Sequence, residues 1–362
     1  MKILVLAGEE SGQIYARRIR EMLPGHEVRG YEDYGFKTAD LAVMGFVAVL
    51  RRIRYFLNVK AVMERAILEW RPDVVCTIDY PGMNLKLAAF AKAHGIRTVH
   101  VVCPQVWAWK SGRIPKIEAS VDRLCCFLPF EPAMFRPGFA EFVGHPLAEE
   151  FAASARDGRA ARAEFPHPLV AVLPGSRIGE IERNFPTMLE AVGRLGKVHA
   201  IVPAANEEAK ARIEGLLAES GGGANMEVRL GGARDVLRAA DCAIVASGTA
   251  TLEAALARCP TVLVYRVSAA LAWFARRVIK GVCHIGLVNV MWEKSGGTGE
   301  APMPELLQED FTAERTAEAV SRWLADPVAR AEAAARLDAM VKPLEEGPSA
   351  FARIVDALLP GK

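Results

Sequence analysis

The chemistry in this chain gathers where apolar runs end. Asp79 follows the run Val74–Thr77 and opens the segment Asp79-Tyr80-Pro81-Gly82-Met83-Asn84. A carboxylate at the carboxyl end of a strand can act as a general base over an open cleft, or it can cap the helix that follows. Further along, Ala243–Ala246 runs into Ser247-Gly248-Thr249-Ala250 and continues as the helix-like Thr251–Leu256. A strand, a turn of small residues and a helix N-terminus favour an anion, because free N–H groups and the helix dipole both point at it. Glu253, in the first turns of that helix, is placed to accept hydrogen bonds from a ribose diol. Pro174-Gly175-Ser176-Arg177 follows Leu169–Leu173 and leads through Glu180 into another helical pattern. Here glycine permits close backbone approach, Ser176 can meet an oxyanion and Arg177 supplies a charged fork. Two such turns suit a nucleotide diphosphate better than one phosphate. Tyr265, Arg266 and Asn289 follow where they could complete the site.

Other segments offer weaker chemistry. Gly8-Glu9-Glu10-Ser11-Gly12 follows the first apolar run but lacks the G-x-G-x-x-G spacing, which disfavours a dinucleotide. Either Ser11 caps a helix or the loop lines the acceptor side of a cleft. Pro104-Gln105-Val106-Trp107-Ala108-Trp109-Lys110 places two tryptophans in a loop after a strand, where they pack beneath it or line a ligand surface. His100, inside a strand, reads as a satisfied buried histidine. Two stretches, 46–57 and 271–280, set aromatic and aliphatic residues beside arginines and lysine, the composition of a helix lying on an anionic membrane or of a core helix with solvated basic residues. Seven cysteines contain no C-x-x-C pair, and seven histidines show no metal spacing, so no metal site is expected.

The elements that position these residues alternate. Strand-like runs and helix-period segments follow one another from Lys2–Ala7 to Thr261–Val264, which argues for parallel sheets with crossover helices. At 362 residues the chain calls for two domains. The small, polar stretch within Phe151–Pro168 separates them. The expected division is residues 1–158 and 159–346, two doubly wound domains, with a last helix at 347–360 returning to the first. Ala313–Val341 reads as one amphipathic helix. A net charge of +2 excludes an argument for nucleic acid, and no apolar run reaches the roughly 18 residues of a membrane span. A strand begins at Lys2, so no signal peptide is expected and the cytoplasm is the default location.

Nine segments then recur in a known order: GEESGQ (Gly8–Gln13), AVMGF (Ala42–Phe46), DYPGMN (Asp79–Asn84), PQVWAWK (Pro104–Lys110), LPFE (Leu128–Glu131), FVGHPL (Phe142–Leu147), PGSRIGEI (Pro174–Ile181), ASGTATLE (Ala246–Glu253) and YR with LVN (Tyr265 to Asn289). Over nearly the whole chain this set resembles the lipid-A-disaccharide synthases, inverting glycosyltransferases of the α/β GT-B fold. That fold has two doubly wound, Rossmann-like parallel-sheet domains facing across a cleft. The resemblance implies transfer of 2,3-diacylglucosamine from its UDP derivative to 2,3-diacylglucosamine 1-phosphate, forming the β-1,6 disaccharide 1-phosphate and UDP. It implies Asp79 as the base. Gly175, Ser176, Arg177, Glu180, Ser247, Gly248, Thr249, Glu253, Tyr265, Arg266 and Asn289 would bind the donor. Glu9, Ser11, Met44, Asn84 and Trp107 would stand on the acceptor side. It implies no cofactor and no metal, with Arg177 offsetting charge on the leaving diphosphate. It also implies peripheral attachment to the cytoplasmic face of the inner membrane, and it admits a homodimer. The chain departs from the family pattern at Gln13, Ala48 and Gly82, where acids are usual, and its loop between Tyr31 and Ala42 is short. Two other readings compete: another GT-B enzyme of UDP-amino sugars, and a non-catalytic UDP-lipid-binding relative.

Overall fold

Five consecutive buried residues, Ile3–Ala7, form the body of the first strand, and the same continuous burial recurs at Val74–Ile78, Leu169–Leu173 and Cys242–Ala246. Strands covered on both faces need apolar residues at every position, and each large one contributes about 1.5–3 kcal/mol by leaving water. The computed structural model describes residues 1–41, 52–109, 111–154, 162–221, 225–346 and 349–359, with backbone alone at Glu10, Ser11, Thr38 and Ala39. Met44, Ala48 and Lys110, part of the 46–57 stretch and the 158/159 division lie outside the described residues.

The chain forms two units, Met1–Pro146 with Gly347–Lys362, and Leu147–Glu346. In the first unit β1 (Lys2–Ala7), β2 (Glu27–Arg29), β3 (Val74–Ile78), β4 (Arg97–Val101), β5 (Arg123–Cys126) and β6 (Ala140–Phe142) pair in the order β2-β1-β3-β4-β5-β6. In the second, β7 (Leu169–Leu173), β8 (His199–Ala204), β9 (Met226–Leu230), β10 (Cys242–Ala246), β11 (Thr261–Tyr265) and β12 (Glu305–Leu307) pair as β12-β11-β10-β7-β8-β9. Every ladder is parallel. The chain order reverses between β1 and β3 in one sheet and between β7 and β10 in the other. Ligands of open α/β sheets bind beyond the carboxyl ends of strands at such points.

The helices that matter below are α1 (Glu10–Glu21), α2 (Thr38–Leu41), α3 (Ile53–Trp70), α4 (Pro81–Ala93), α5 (Ile114–Ser120), α6 (Pro146–Ala153), α7 (Ile178–Gly193), α8 (Glu207–Glu219), α9 (Ala233–Ala239), α10 (Thr249–Leu256), α11 (Ala269–Val278), α12 (Leu287–Lys294), α13 (Ala313–Ala325), α14 (Pro327–Glu345) and α15 (Ala350–Leu358). The expected single helix over Ala313–Val341 is two. Asp326 accepts from the backbone N–H groups of Val328 (2.8 Å) and Ala329 (3.2 Å), and Pro327 takes the first helical position. Proline cannot continue α13 but is preset for the start of α14.

The units divide at Pro146/Leu147, ahead of the polar stretch. The reason is in α9: the Arg238 guanidinium stacks on the Phe151 ring at 4.1 Å and donates to the Phe151 carbonyl at 2.6 Å, which ties α6 to the second unit. Helix α15 belongs to the first unit. Phe351, Ile354 and Leu358 enter a core with Ile3, Val5 and Val99, and Arg97 donates to the Ala357 carbonyl at 2.8 Å.

Candidate active site

In the second unit the loops after β7, β8, β9 and β10 enclose a cavity of about 650 Å³. Gly175, Ser176, Arg177, Glu180, Ser247, Gly248, Thr249 and Glu253 all line it, on both sides of the β7/β10 reversal. Helices α7, α9 and α10 begin here at Arg177, Gly232 and Gly248, and none has a side-chain cap. Uncapped N-termini leave backbone donors facing the cavity, the arrangement an oxyanion requires. Gly175 has φ +115, and a Cβ there would stand 2.7 Å from the Glu180 carboxylate, so only glycine fits. Arg177, largely exposed, pairs with Glu180 at 2.9 Å. A phosphate can compete for an exposed guanidinium, because such a pair is weak in water.

Sequence reasoning missed Arg234. It lines the same cavity, donates from Nε to Glu253 Oε1 at 2.9 Å and reaches Glu150 of α6 at 3.3 Å. Glu253 is thereby held by one oxygen. The signal was local only in hindsight: Arg234 is the second residue of α9, and its partner Glu253 is nineteen positions on.

Three residues expected at this cavity are elsewhere. Asn289 is fully buried, donating to the Met303 carbonyl (2.7 Å) and Glu305 (2.8 Å) and accepting from the Met303 N–H (3.0 Å). Its amide fastens α12 to β12, with both N–H hydrogens already donated. Arg266 lies over the Phe311 ring at 4.9 Å and donates to Thr187 at 3.0 Å and to the Phe311 carbonyl. Tyr265 ends β11, one strand beyond the reversal, and does not line the cavity.

In the first unit the corresponding edge is strained. Asp79 and Tyr80 have φ +47 and +51, and Val102, after β4, has φ +75. Two successive non-glycine residues and a β-branched one in this region each cost on the order of 1–3 kcal/mol, a pattern that clusters at functional sites. Asp79 does not cap α4. Its Oδ1 accepts from the Tyr80 N–H at 2.8 Å, and Tyr80 itself holds the cap position. Burial raises the Asp79 carboxyl above the ordinary aspartate range. Partial burial, and then the charge of Asp79, raise Glu9 as well. The Tyr80 ring lies where a side chain at residue 8 would be: a Cβ on Gly8 would stand 2.5 Å from it.

Asn84 is fully buried and donates to the carbonyls of Leu6 (3.1 Å), Ile78 (3.0 Å) and Asp79 (2.8 Å), while accepting from Tyr31 Oη (2.8 Å). It is therefore not an open acceptor contact. It ties β1 to β3 and fixes the Asp79 backbone. Trp107 is buried beneath its loop, with Nε1 donating to Glu131 at 3.0 Å. Ser11 is the second residue of α1, whose cap position is Glu9. His100 meets Thr77 through Nδ1 at 2.8 Å, but its buried Nε2 has no partner among the described residues, and burial lowers its pKa to about 3. Gln13 donates to the Ala7 carbonyl at 2.9 Å, and Gly82 is exposed, with nothing among the described residues within 4 Å of an added Cβ.

Among the described residues no helix is long and apolar enough to cross a membrane. The family model for lipid-A-disaccharide synthetase matches residues 3–347. A lipid-A-disaccharide synthase of Chromohalobacter salexigens is 37% identical, with 99% of this chain and 97% of the relative covered. One from Neisseria meningitidis is 37% identical over 90% of this chain and 89% of its own length. Among solved structures the fold is similar to Acinetobacter baumannii MurG (TM-score 0.60, 13% identity, 99% and 98% covered). It is also similar to the calicheamicin glycosyltransferase CalG4 (TM-score 0.58, 16% identity, 98% and 96% covered).

Proposed function

The chain belongs to the lipid-A-disaccharide synthase family, and from that premise we propose how its residues divide the reaction. The second unit holds UDP-2,3-diacylglucosamine. The diphosphate lies on the turns after β7 and β10, the ribose hydroxyls bond Glu253, and Arg177 leaves Glu180 to neutralise charge on the departing UDP. Asp79 removes the proton from the 6-hydroxyl of 2,3-diacylglucosamine 1-phosphate. The hydroxyl oxygen bonds the anomeric carbon as the bond to the diphosphate breaks, and the electron pair leaves with UDP. One displacement inverts the centre and gives the β-1,6 disaccharide 1-phosphate. A half-buried carboxylate with a raised pKa is a stronger base than an ordinary one, which suits this role.

The observation that carries the reading is the meeting of three uncapped helix N-termini at one cavity, at the chain reversal of the second sheet. The test follows UDP release and disaccharide formation together from the two acylated substrates, without added magnesium or manganese. Turnover that disappears in Asp79→Ala supports the reading. UDP binding without turnover in the unaltered protein supports a lipid-binding relative instead, and turnover of a UDP-amino sugar without lipid supports another GT-B enzyme.

Acylated substrates reside in a membrane, and α11 supports attachment to its surface. None of its residues is buried; Leu271, Trp273 and Phe274 are exposed beside Arg276 and Arg277. Apolar side chains with cations suit an anionic bilayer. Flotation with phosphatidylglycerol vesicles, reduced in a Trp273→Ser, Phe274→Ser variant, is the expected result.

A further inference from the structure

The absence of paired-cysteine spacing predicts no metal ligands, yet the first unit assembles three. Cys103 follows β4, Cys126 ends β5, and Glu131 lies in the turn after β5. Their ligand atoms lie within 4.8 Å of one another, and all three residues are buried. From this cluster we propose that the chain binds one thiophilic divalent cation, of the zinc class, at Cys103, Cys126 and Glu131.

Chemistry and geometry both support it. A tetrahedral zinc with sulfur at about 2.3 Å separates two thiolates by about 3.8 Å, within the span of this cluster. Cys126 shares its side of the sheet with Cys103, whereas the neighbouring Cys125 faces the opposite core, as the alternation of a strand requires. The carboxylate is already aimed. Trp107 Nε1 donates to Oε1 at 3.0 Å and the Leu128 N–H to Oε2 at 3.1 Å, the orienting contacts that a metal-bound carboxylate carries. Among the described residues Glu131 forms no ion pair, and the donors to its two oxygens, Trp107 and Leu128, are neutral.

Entry of the ion releases the two thiol protons to solvent and forms two metal–sulfur bonds and one metal–oxygen bond to Glu131, and a water carried in with the ion keeps the fourth tetrahedral position. Two positive charges replace two protons, so the charge of the site with an ionised Glu131 does not change. The three ligands come from the loop after β4, the end of β5 and the segment that follows β5. The ion would therefore clamp the tryptophan loop, through Cys103, to the loop that carries Glu131. This is a structural role, separate from the sugar transfer, and does not depend on that assignment.

The experiment titrates the reduced, metal-free full-length protein with cobalt(II) alone and then with zinc(II). One equivalent of cobalt should give thiolate-to-metal charge-transfer absorption and the strong d–d bands of a tetrahedral site, and one equivalent of zinc should abolish them. The signal should vanish in Cys103→Ser and Cys126→Ser, weaken at least tenfold in affinity in Glu131→Gln, and persist in Cys283→Ser, which removes the exposed thiol. Zinc should raise the melting temperature of the unaltered protein and of Cys283→Ser but not of Cys126→Ser, a readout that stands if Cys103→Ser fails to fold. Absence of a stoichiometric cobalt signal in the unaltered protein, or its survival in Cys126→Ser, overturns the proposal.

Discussion

The carboxyl edges of the two sheets solve different problems with different materials. In the second unit the edge is made of small residues and helix starts: Gly175, Ser176, Ser247, Gly248 and Thr249 line one cavity. Its chemistry is backbone chemistry, so each half of it is a short local motif. In the first unit the edge is made of strained backbone and buried side chains. Asp79, Tyr80 and Val102 sit at positive φ, and Asn84 and Trp107 are consumed in holding neighbours. An anion needs donors that any residue carries. A proton acceptor needs one carboxylate in a shaped, partly dry setting, and distant residues make that setting.

Replacing each edge's central residue should separate the two. Asp79→Asn is expected to lower kcat about a thousandfold while UDP affinity, followed by calorimetry, stays within about twofold. A parallel loss of UDP binding would erase the distinction. The unaltered enzyme should also lose kcat/KM as pH falls through a value above the ordinary aspartate range, because the base must be ionised and burial raises its pKa.

The next effect is on stability. Asp241 is 3% exposed and pairs with Arg162, His167 (2.8 Å) and Arg330 (2.8 Å) behind β7 and β10. Burial opposes its charge, but His167, the Leu169 N–H and Arg162 lower its pKa to about 2. A depressed carboxylate stabilises the fold above its unfolded pKa of about 3.9, so this contribution is lost as pH falls from about 4 to about 2. Asp241→Asn should cost about 3 kcal/mol at neutral pH in urea unfolding, and the acid sensitivity of that unit should flatten.

Smaller still, Arg234→Ala should raise the donor KM about tenfold by freeing Glu253, with acceptor KM unchanged; an equal rise in both would show a general loosening instead. Smallest is Gly82→Ala. The site is open and its φ is ordinary, so the substitution should stabilise the start of α4 by about 0.5–1 kcal/mol, seen as a modest rise in Tm.

How much was legible follows from the same contrast. The central strands were readable because both faces are covered and the runs are apolar throughout. The strands that periodicity did not reveal, Glu27–Arg29, Ala140–Phe142 and Glu305–Leu307, are three-residue edge strands whose outer sides need no apolar run. The break at Asp326-Pro327 was written in the sequence as a cap and a helix-starting proline, and helical periodicity concealed it.

By itself the sequence determined the two parallel sheets, the small-residue turns after β7 and β10 and the family, because each rests on residues close in the chain or on their order. Only the tertiary structure decided which polar residues remain available. Asn84, Asn289, Arg266 and Trp107 have side chains that suit a ligand, yet each is occupied by a partner from another element. It also brought Arg234 to Glu253, and Cys103 and Cys126 to Glu131. The physical reason is that a buried polar group must find its partner wherever the fold supplies one, and that pairing has no signature in the spacing along the chain.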